Sequence, residues 1–415
     1  MQQKISPISL SIELEAQYSA RNYNPLPVVL SRGEGVYLWD ENGTRYIDMM
    51  SAYSAVSFGH GHPKLLAALN QQAARLAVTS RAFYTDQLGT FLKAVIETTG
   101  LNGYKVLPMN SGAEAVETAV KAARKWGHKV KGIAASQAEI IVCDGNFAGR
   151  TTTIVSFSTE EQYRDGFGPF TPGFKQVPFG DARALENAIT ANTAAFIVEP
   201  IQGEAGIIVP PKGYLAACAE ICKRHNVLLI CDEVQTGLGR TGRVLAVQHE
   251  HVKPDAVVLG KALGGGLLPV SAFIARADVM DVFTPGDHGS TFGGNPLACA
   301  VGRAALEVLV NENLSERAEI LGKEMMDELK AINSPLIKEV RGMGLLVGVE
   351  INAEFASARE VCEVLLMHGV LSKDTHQTVV RFAPPLTMTS EELSDAMTRV
   401  RTAFSEIRLR GRDGA

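Results

Sequence analysis

Residues 255–267 read DAVVLGKALGGGL. Ala256 to Leu259 have the apolar run of a buried strand, and Gly260, Lys261 and a glycine-rich turn follow. Lysine is almost never fully buried without a partner, so a lysine just past a strand ordinarily caps it in solvent. The chemical alternative is a desolvated lysine. Such a group has a lowered pKa and is a nucleophilic amine that can form a Schiff base with a carbonyl. What the flanking chain places beside Lys261 decides between the two.

Two other apolar runs end in the same manner. AAFIVEP ends at Glu199 and VLLICDE ends at Asp232. Around them, from about residue 62 to 280, short apolar runs alternate with helical segments at 64–77, 112–126 and 212–225. The runs are Lys105–Leu107, Ile140–Cys143, Thr152–Val155, Ala195–Val198, Val227–Cys231 and Ala256–Leu259. Strand–helix alternation predicts an α/β domain with a mostly parallel sheet. Ligands of open parallel sheets bind outside the carboxyl ends of the strands. Glu199, Asp232 and Lys261 would then share one edge.

The stretch NSGAEAVETAVKAARKW, residues 110–126, supplies another part. Val116, Ala119, Val120 and Ala123 fall on one face at helical spacing. Ser111 stands where a serine serves as N-cap. Ser111 and Gly112 would also expose backbone N–H groups at a positive helix end, a ready anion site. A phosphate cradle, an acid and a lysine together make the kit for pyridoxal phosphate. That cofactor needs a Schiff-base lysine, an acidic partner for its ring nitrogen and a phosphate site.

The bulk numbers agree with a globular enzyme. The chain has 415 residues, enough for two or three domains, with 46% hydrophobic and 20% charged residues. A net charge of −5 gives no reason to expect nucleic acid. Six cysteines in this length do not form a disulfide framework. The N-terminal MQQKISPISLSIELEAQ has no continuous apolar core, so no secretory signal is expected. Ala262–Ala275, the longest charge-free apolar stretch, is too short and too glycine-rich to span a bilayer. The expectation is a cytoplasmic protein without membrane or nucleic-acid partners.

Asp232-Glu233-Val234-Gln235-Thr236-Gly237, then GRTG, then Gly260-Lys261-Ala262-Leu263-Gly264-Gly265-Gly266 resemble the class III aminotransferases. The resemblance runs from about residue 22 to 406. It implies a fold-type I pyridoxal phosphate enzyme: a large domain with a mostly parallel seven-stranded sheet plus a smaller α+β domain. The matching division is 1–55 as an N-terminal part of the small domain, 56–295 as the large cofactor domain and 296–415 as the C-terminal small domain. Turn signals at Arg32-Gly33 and Asn42-Gly43 suggest short strands in the first segment. After Pro296 helix is expected to about residue 331. Strands at Gly344–Ile351 and Thr378–Phe382 and helices near 357–368 and 390–406 follow.

Within the class, the segments Asn22–Pro27, Ser51–Val56, Ser80–Tyr84 and Gly166–Phe170 resemble members that act on the δ-amine of L-ornithine, with 2-oxoglutarate as acceptor. The resemblance implies a role for each matching position. Lys261 would be the Schiff-base lysine, Asp232 the partner of the ring nitrogen and Gln235 the contact of the ring hydroxyl. Ser111, Gly112 and Ala113 would hold the phosphate, completed by Ser290 and Thr291 from the partner subunit of a homodimer. Phe147 would stack on the ring. Arg150 and Tyr23 would hold the α-carboxylate of ornithine, and Tyr53 would narrow the pocket. Glu204 would pair with Arg381 and mask it in one half-reaction. Ala148 departs from the family, which often has a bulky residue there. Another ω-amine donor, such as N-acetylornithine, 4-aminobutyrate, lysine or a polyamine, would use the same machinery.

Other signals carry less. GLGRTG, residues 237–242, matches a dinucleotide fingerprint, but Lys253-Pro254-Asp255 stands where its second strand should begin. Cys218, Cys222 and His225 share one helix, yet helical cysteines are usually small core hydrophobes. His60 and His62, before Pro63, should shape a turn into the next helix. The final RLRGRDGA should be a frayed tail.

Overall fold

The computed structural model describes residues 9–407, 409 and 410. Five of the six apolar runs of the middle of the chain assemble, with two further strands, into one seven-stranded sheet. Three short strands precede it: β1 (Leu30–Glu34), β2 (Tyr37–Asp40) and β3 (Arg45–Asp48). The sheet itself uses β4 (Tyr104–Met109), β5 (Glu139–Cys143), β6 (Phe174–Val177), β7 (Thr193–Val198), β8 (Leu228–Asp232), β9 (Ala256–Leu259) and β10 (Ser271–Arg276). Their order is β4-β10-β9-β8-β7-β5-β6, parallel except for β10, which runs antiparallel to both neighbours.

The reason these strands read as unbroken apolar runs is that both faces are covered. Ile140, Val142, Ile230 and Val258 pack on one side with Val116, Ala119, Val120 and Ala123 of the helix Gly112–Trp126. Ile141, Cys143, Leu229 and Val257 point to the other side, against Leu215, Cys218 and Cys222 of the helix Tyr214–Arg224. Each fully buried valine contributes about 1.5–3 kcal/mol. The apolar stripe of Gly112–Trp126 therefore fixes that helix, and with it its first turn, over the ends of the central strands.

The remaining strands lie outside this sheet. They are β11 (Ile337–Met343), β12 (Leu346–Ile351), β13 (Val370–Leu371), β14 (Lys373–Thr375) and β15 (Val379–Phe382). They form an antiparallel sheet ordered β11-β12-β15-β14, while β13 joins β3 in parallel, giving a second small sheet β1-β2-β3-β13. Residues 30–48 thus pair with the C-terminal part of the chain.

The helices Pro63–Ala73, Gly112–Trp126, Tyr214–Arg224, Ala358–Met367 and Ser390–Glu406 lie where periodicity predicts them. The expected long helix after Pro296 is two helices, Pro296–Asn311 and Leu314–Lys330, broken at Asn313 with φ 51°. Thr152–Val155 is a short helix, not a strand, because Thr151 Oγ1 accepts from Ile154 N–H and caps it. The adjacent sheet position belongs to β6. Arg32-Gly33 lies inside β1, and the turn is at Gly35, with φ 57°. Asn42-Gly43 does form a turn, where Asp40 Oδ1 accepts from Asn42 and Thr44 N–H groups at 2.9 and 2.8 Å.

No helix begins at Gly237–Gly242. Those residues form a buried loop in which a Cβ on Gly239 would meet Leu309 Cδ1 at 2.8 Å. Cys218 and Cys222 are core residues, and His225 lies 3.5 Å from Glu186. Among the described residues no group of three or more His, Cys, Asp or Glu is placed to hold a metal ion. Nor is any helix among them long and apolar enough to cross a membrane. His60 bonds Asp48 at 2.8 Å, and His62 stands at the N-cap of Pro63–Ala73. Of the expected frayed tail, 408 and 411–415 lie outside the described residues. Arg410 is tied down: its N–H donates to Phe355 O at 3.0 Å.

Candidate active site

The carboxyl ends of β4, β5, β7, β8 and β9 converge on one edge, and each delivers a side chain or backbone group there. β8 ends at Asp232, β7 is followed by Glu199, and β9 by Gly260 and Lys261. β4 feeds Asn110 and Ser111 into the helix Gly112–Trp126, and the loop after β5 carries Phe147. Together they bound a cavity of about 170 Å³ lined by Gly112, Ala113, Phe147, Glu199, Glu204, Asp232, Val234, Gln235 and Lys261.

Lys261 is held at φ 43°. That left-handed conformation is strained for a residue with a β-carbon, and such strain collects at functional sites. Burial lowers the pKa of its ammonium, opposed by the charge of Glu204. Asp232 is pushed up to about 6, chiefly by burial, with Val234 N–H and the Lys261 charge acting against it. Glu199 is raised to about 8 by burial and by the neighbouring Asp232, although Phe147 N–H donates to its Oε1 at 2.9 Å. A buried acid raised this way calls for a cation at the same edge.

The phosphate end departs from expectation. Ser111 Oγ accepts from Glu114 N–H at 3.2 Å, and Glu114 Oε2 accepts from Ser111 N–H at 2.7 Å and from Asn110 N–H at 3.1 Å. This is a capping box. The N–H of Ser111 is therefore taken, and the exposed donors of this helix end are those of Gly112 and Ala113. Gly112 sits against Val234, whose Cγ1 would lie 3.0 Å from an added Cβ. Ser290 and Thr291 do not line the cavity within this chain. Ser290 Oγ accepts from Asn110 Nδ2 at 3.0 Å, and Thr291 is exposed.

Pyridoxal phosphate fits this donor set. Gln235 Oε1 is buried in the cavity wall without a hydrogen-bond partner, and a buried polar atom left so marks a place for a ligand group. It faces the backbone of Gly203 so closely that a Cβ there would fall 1.3 Å from it. Asp232 offers the acid for a ring nitrogen, Lys261 the amine, and the Gly112–Ala113 turn the anion site.

The two arginines expected to meet substrate lie in contrasting settings. Arg381, on β15, is 1% exposed and its Nη1 lies 2.9 Å from Glu204 Oε1. Glu204 is held down to about 2: burial opposes ionisation, but Arg381 outweighs it. Arg381 also sits 5.3 Å from the Tyr53 ring. Arg150 is exposed, and its guanidinium lies 4.1 Å over the ring of Tyr163. Tyr23 is 78% exposed. The Tyr53 phenol is raised above its ordinary pKa by burial and then by Glu204.

Tyr53 stands on an unusual support. Ser51, Ala52, Tyr53 and Ser54 have φ of 43°, 47°, 58° and 73°, a left-handed turn of four residues with β-carbons. Each costs roughly 1–2 kcal/mol. Asp48 Oδ1 accepts from Met50 and Ser51 N–H groups, and Ser51 Oγ donates to Ala383 O at 2.6 Å. Arg240 Nη2 donates to Ser51 Oγ and Ser57 Oγ at 3.2 and 2.9 Å, while Nη1 reaches Leu345 O and Pro384 O. This buried arginine, lowered to about 9 by burial, ties the turn under Tyr53 to Pro384, three residues beyond Arg381.

Sequence reasoning passed over Arg240, Tyr163 and Val234 as site residues. Arg240 lay within the GRTG resemblance, and Val234 stands between two assigned positions. No pattern in the sequence marks Tyr163.

This edge of carboxyl-terminal strand ends, with its lysine, acid and unsatisfied amide, is that of an aminotransferase. The chain belongs to the Aminotransferase class-III family, which matches residues 18–404. An ornithine aminotransferase of Exiguobacterium sp. is 57% identical over 394 residues, covering 95% of this chain and 97% of the relative. A solved ornithine aminotransferase from Toxoplasma gondii, with partial occupancy of PLP at its active site, superposes with a TM-score of 0.94. It is 49% identical and covers 96% of this chain and 94% of that one. The structure of an acetylornithine aminotransferase from Elizabethkingia anophelis is 50% identical, with a TM-score of 0.86, 95% of this chain and 98% of that one being covered.

Proposed function

We propose that the chain transfers the δ-amino group of L-ornithine to 2-oxoglutarate, giving L-glutamate and L-glutamate 5-semialdehyde, which cyclises to 1-pyrroline-5-carboxylate. The observation that carries this is the Arg381–Glu204 pair, whose carboxylate lines the cavity. One substrate has two carboxylates and the other has one. A buried guanidinium must be covered when ornithine binds and free when 2-oxoglutarate does, and an unpaired buried charge would be costly.

Bound pyridoxal phosphate supplies an aldehyde for amines and a ring that accepts electrons from the carbon that loses a proton. The protein's residues do the rest. Asp232 keeps a proton on the ring nitrogen, and its own raised pKa falls again beside that cation. Gln235 Oε1 accepts from the ring hydroxyl. Gly112 and Ala113 N–H groups and Ser111 Oγ hold the phosphate, and Phe147 packs on the ring. Lys261, whose pKa burial lowers, would hold the cofactor, give way to the incoming amine and carry the proton from the substrate's amine-bearing carbon to the cofactor's aldehyde carbon. Arg150 and Tyr23 hold the α-carboxylate of ornithine, which leaves the δ-amine at the reacting end. Tyr53 narrows the pocket beside Arg381.

Ser290 and Thr291 serve the cofactor of the partner subunit in a homodimer. Their place outside this chain's own cavity supports that reading. Six buried, unpaired cysteines support a reducing, cytoplasmic setting.

An amine screen tests the assignment. Cofactor-loaded protein is mixed separately with ornithine, N-acetylornithine and 4-aminobutyrate, and loss of the lysine-linked cofactor's absorbance is followed. Ornithine should react fastest, and addition of 2-oxoglutarate should restore the absorbance and release pyrroline-5-carboxylate. Fastest reaction with N-acetylornithine would move the chain to the activity named for the Elizabethkingia neighbour.

A further inference from the structure

We infer that Tyr163 is a positioning residue for substrate carboxylate recognition, acting as an aromatic rest that orients Arg150 without neutralising it. The inference rests on the reading of Arg150 as the group that receives the α-carboxylate of ornithine.

The two arginines of the substrate side pose opposite problems. Arg381 must be silenced in one half-reaction, and a carboxylate does that at 2.9 Å. Arg150 must stay available for the substrate's carboxylate. A protein carboxylate beside it would compete with the substrate for the same donors. Left wholly free, a long arginine side chain would pay the rotamer entropy of ordering on each binding event. An aromatic face resolves this. It attracts the guanidinium through the ring quadrupole and leaves all five N–H donors directed outward.

The observed geometry matches. The Arg150 guanidinium lies 4.1 Å from the Tyr163 ring centroid. Among the described residues no carboxylate pairs with Arg150, and it donates no side-chain hydrogen bond there. Tyr163 is itself fixed. It closes a short 3-10 turn, Glu161–Tyr163, with its N–H donating to Glu160 O at 3.1 Å. Its ring also meets Phe147 edge-on, with centroids 6.1 Å apart and planes at 76°. Phe147 lines the cofactor cavity. A chain of contacts therefore runs from the cavity wall through Tyr163 to the guanidinium, so Arg150 is placed relative to the reacting end.

The test compares two diamines that differ by one carboxylate: ornithine and 1,4-diaminobutane. Single-turnover loss of the cofactor absorbance is measured for holoenzyme of the parent, Tyr163→Leu, Tyr163→Phe and Arg150→Gln. Tyr163→Leu should lower the apparent second-order constant for ornithine by about fivefold, the worth of a surface cation–π contact. It should leave that for 1,4-diaminobutane unchanged. Tyr163→Phe, which keeps the ring face, should restore ornithine. Equal loss with both amines would overturn the proposal, since Tyr163 would then act through Phe147 or general packing. No loss with either would overturn it as well. Arg150→Gln separates the underlying reading. If it is selective against ornithine while Tyr163→Leu is not, the proposal alone fails. If it is unselective, the assignment of Arg150 fails and the proposal with it.

Discussion

Arg381 and Glu204 face each other at 2.9 Å, the first almost completely buried and the second held ionised by it. Glu204 is also within 3.4 Å of Gln235 Nε2, so its carboxylate links the Arg381 guanidinium to the cavity wall. Glu204→Gln weakens the cover without emptying the space. L-glutamate, which brings a carboxylate of its own to Arg381, should gain as amino donor over ornithine. Half-reaction constants for the two donors should show their ratio shifting by at least about tenfold toward glutamate, because charge-assisted pairs are worth roughly 1.5–3 kcal/mol. An unchanged ratio would remove Glu204 from the gate.

Tyr53 borders Arg381 at 5.3 Å from ring centroid to guanidinium carbon. Replacing it by isoleucine removes the ring that borders the Arg381 guanidinium. Tyr53→Ile should raise kcat/KM for 4-aminobutyrate relative to ornithine. Steady-state assays with both donors would reveal it, and unaltered specificity would take Tyr53 out of the selectivity reading.

Gly203 carries a steric prediction. A methyl there would overlap Gln235 Oε1, at 1.3 Å. Gly203→Ala must displace the Gln235 amide from the cavity while leaving the sheet intact. Pyridoxal phosphate affinity, measured by titration of the cofactor-free protein, should fall by about fivefold, one lost hydrogen bond between neutral groups being worth roughly 0.5–1.5 kcal/mol. Far-ultraviolet circular dichroism should be unchanged.

Glu199 sets a pH dependence. Burial and Asp232 raise its pKa to about 8 from an ordinary 4.5. Its contribution to stability is therefore fully present below about 4.5 and is lost as pH rises through about 8. In the cofactor-free protein, Tm should decline across that window. Glu199→Gln keeps an acceptor for Phe147 N–H and removes the titration, so its Tm should decline less. Parallel declines would mean that other groups control the slope.

How much of this was legible in the sequence follows from where the signals are local. Asp232 and Lys261 end apolar runs, and a parallel sheet brings such ends together whatever the helices between them do. β10 was not visible, because Ala262–Ala275 is interrupted by the glycines of the turn after Lys261 and blends into Ser271–Arg276. The β-branched run Thr152–Val155 looked like a strand, and one cap from Thr151 made it a helix. The N–H of Ser111 looked free because the reach of Glu114 back across the first turn is a side-chain event. Tyr163 and Arg240 act on partners 13 residues or more away, through ring placement and carbonyls, which no spacing announces.

The left-handed turn at Ser51–Ser54 has a consequence for handedness itself. Ala52, at φ 47° and ψ 53°, occupies nearly the mirror image of an ordinary helical residue, and its side chain is exposed. An amino acid of the opposite chirality would be at ease there. A semisynthetic protein with D-alanine at position 52 should be more stable than the natural chain by about 1 kcal/mol. In an aminotransferase, which handles L-amino acids, the turn that carries Tyr53 would then be one spot where the polypeptide prefers a D-residue.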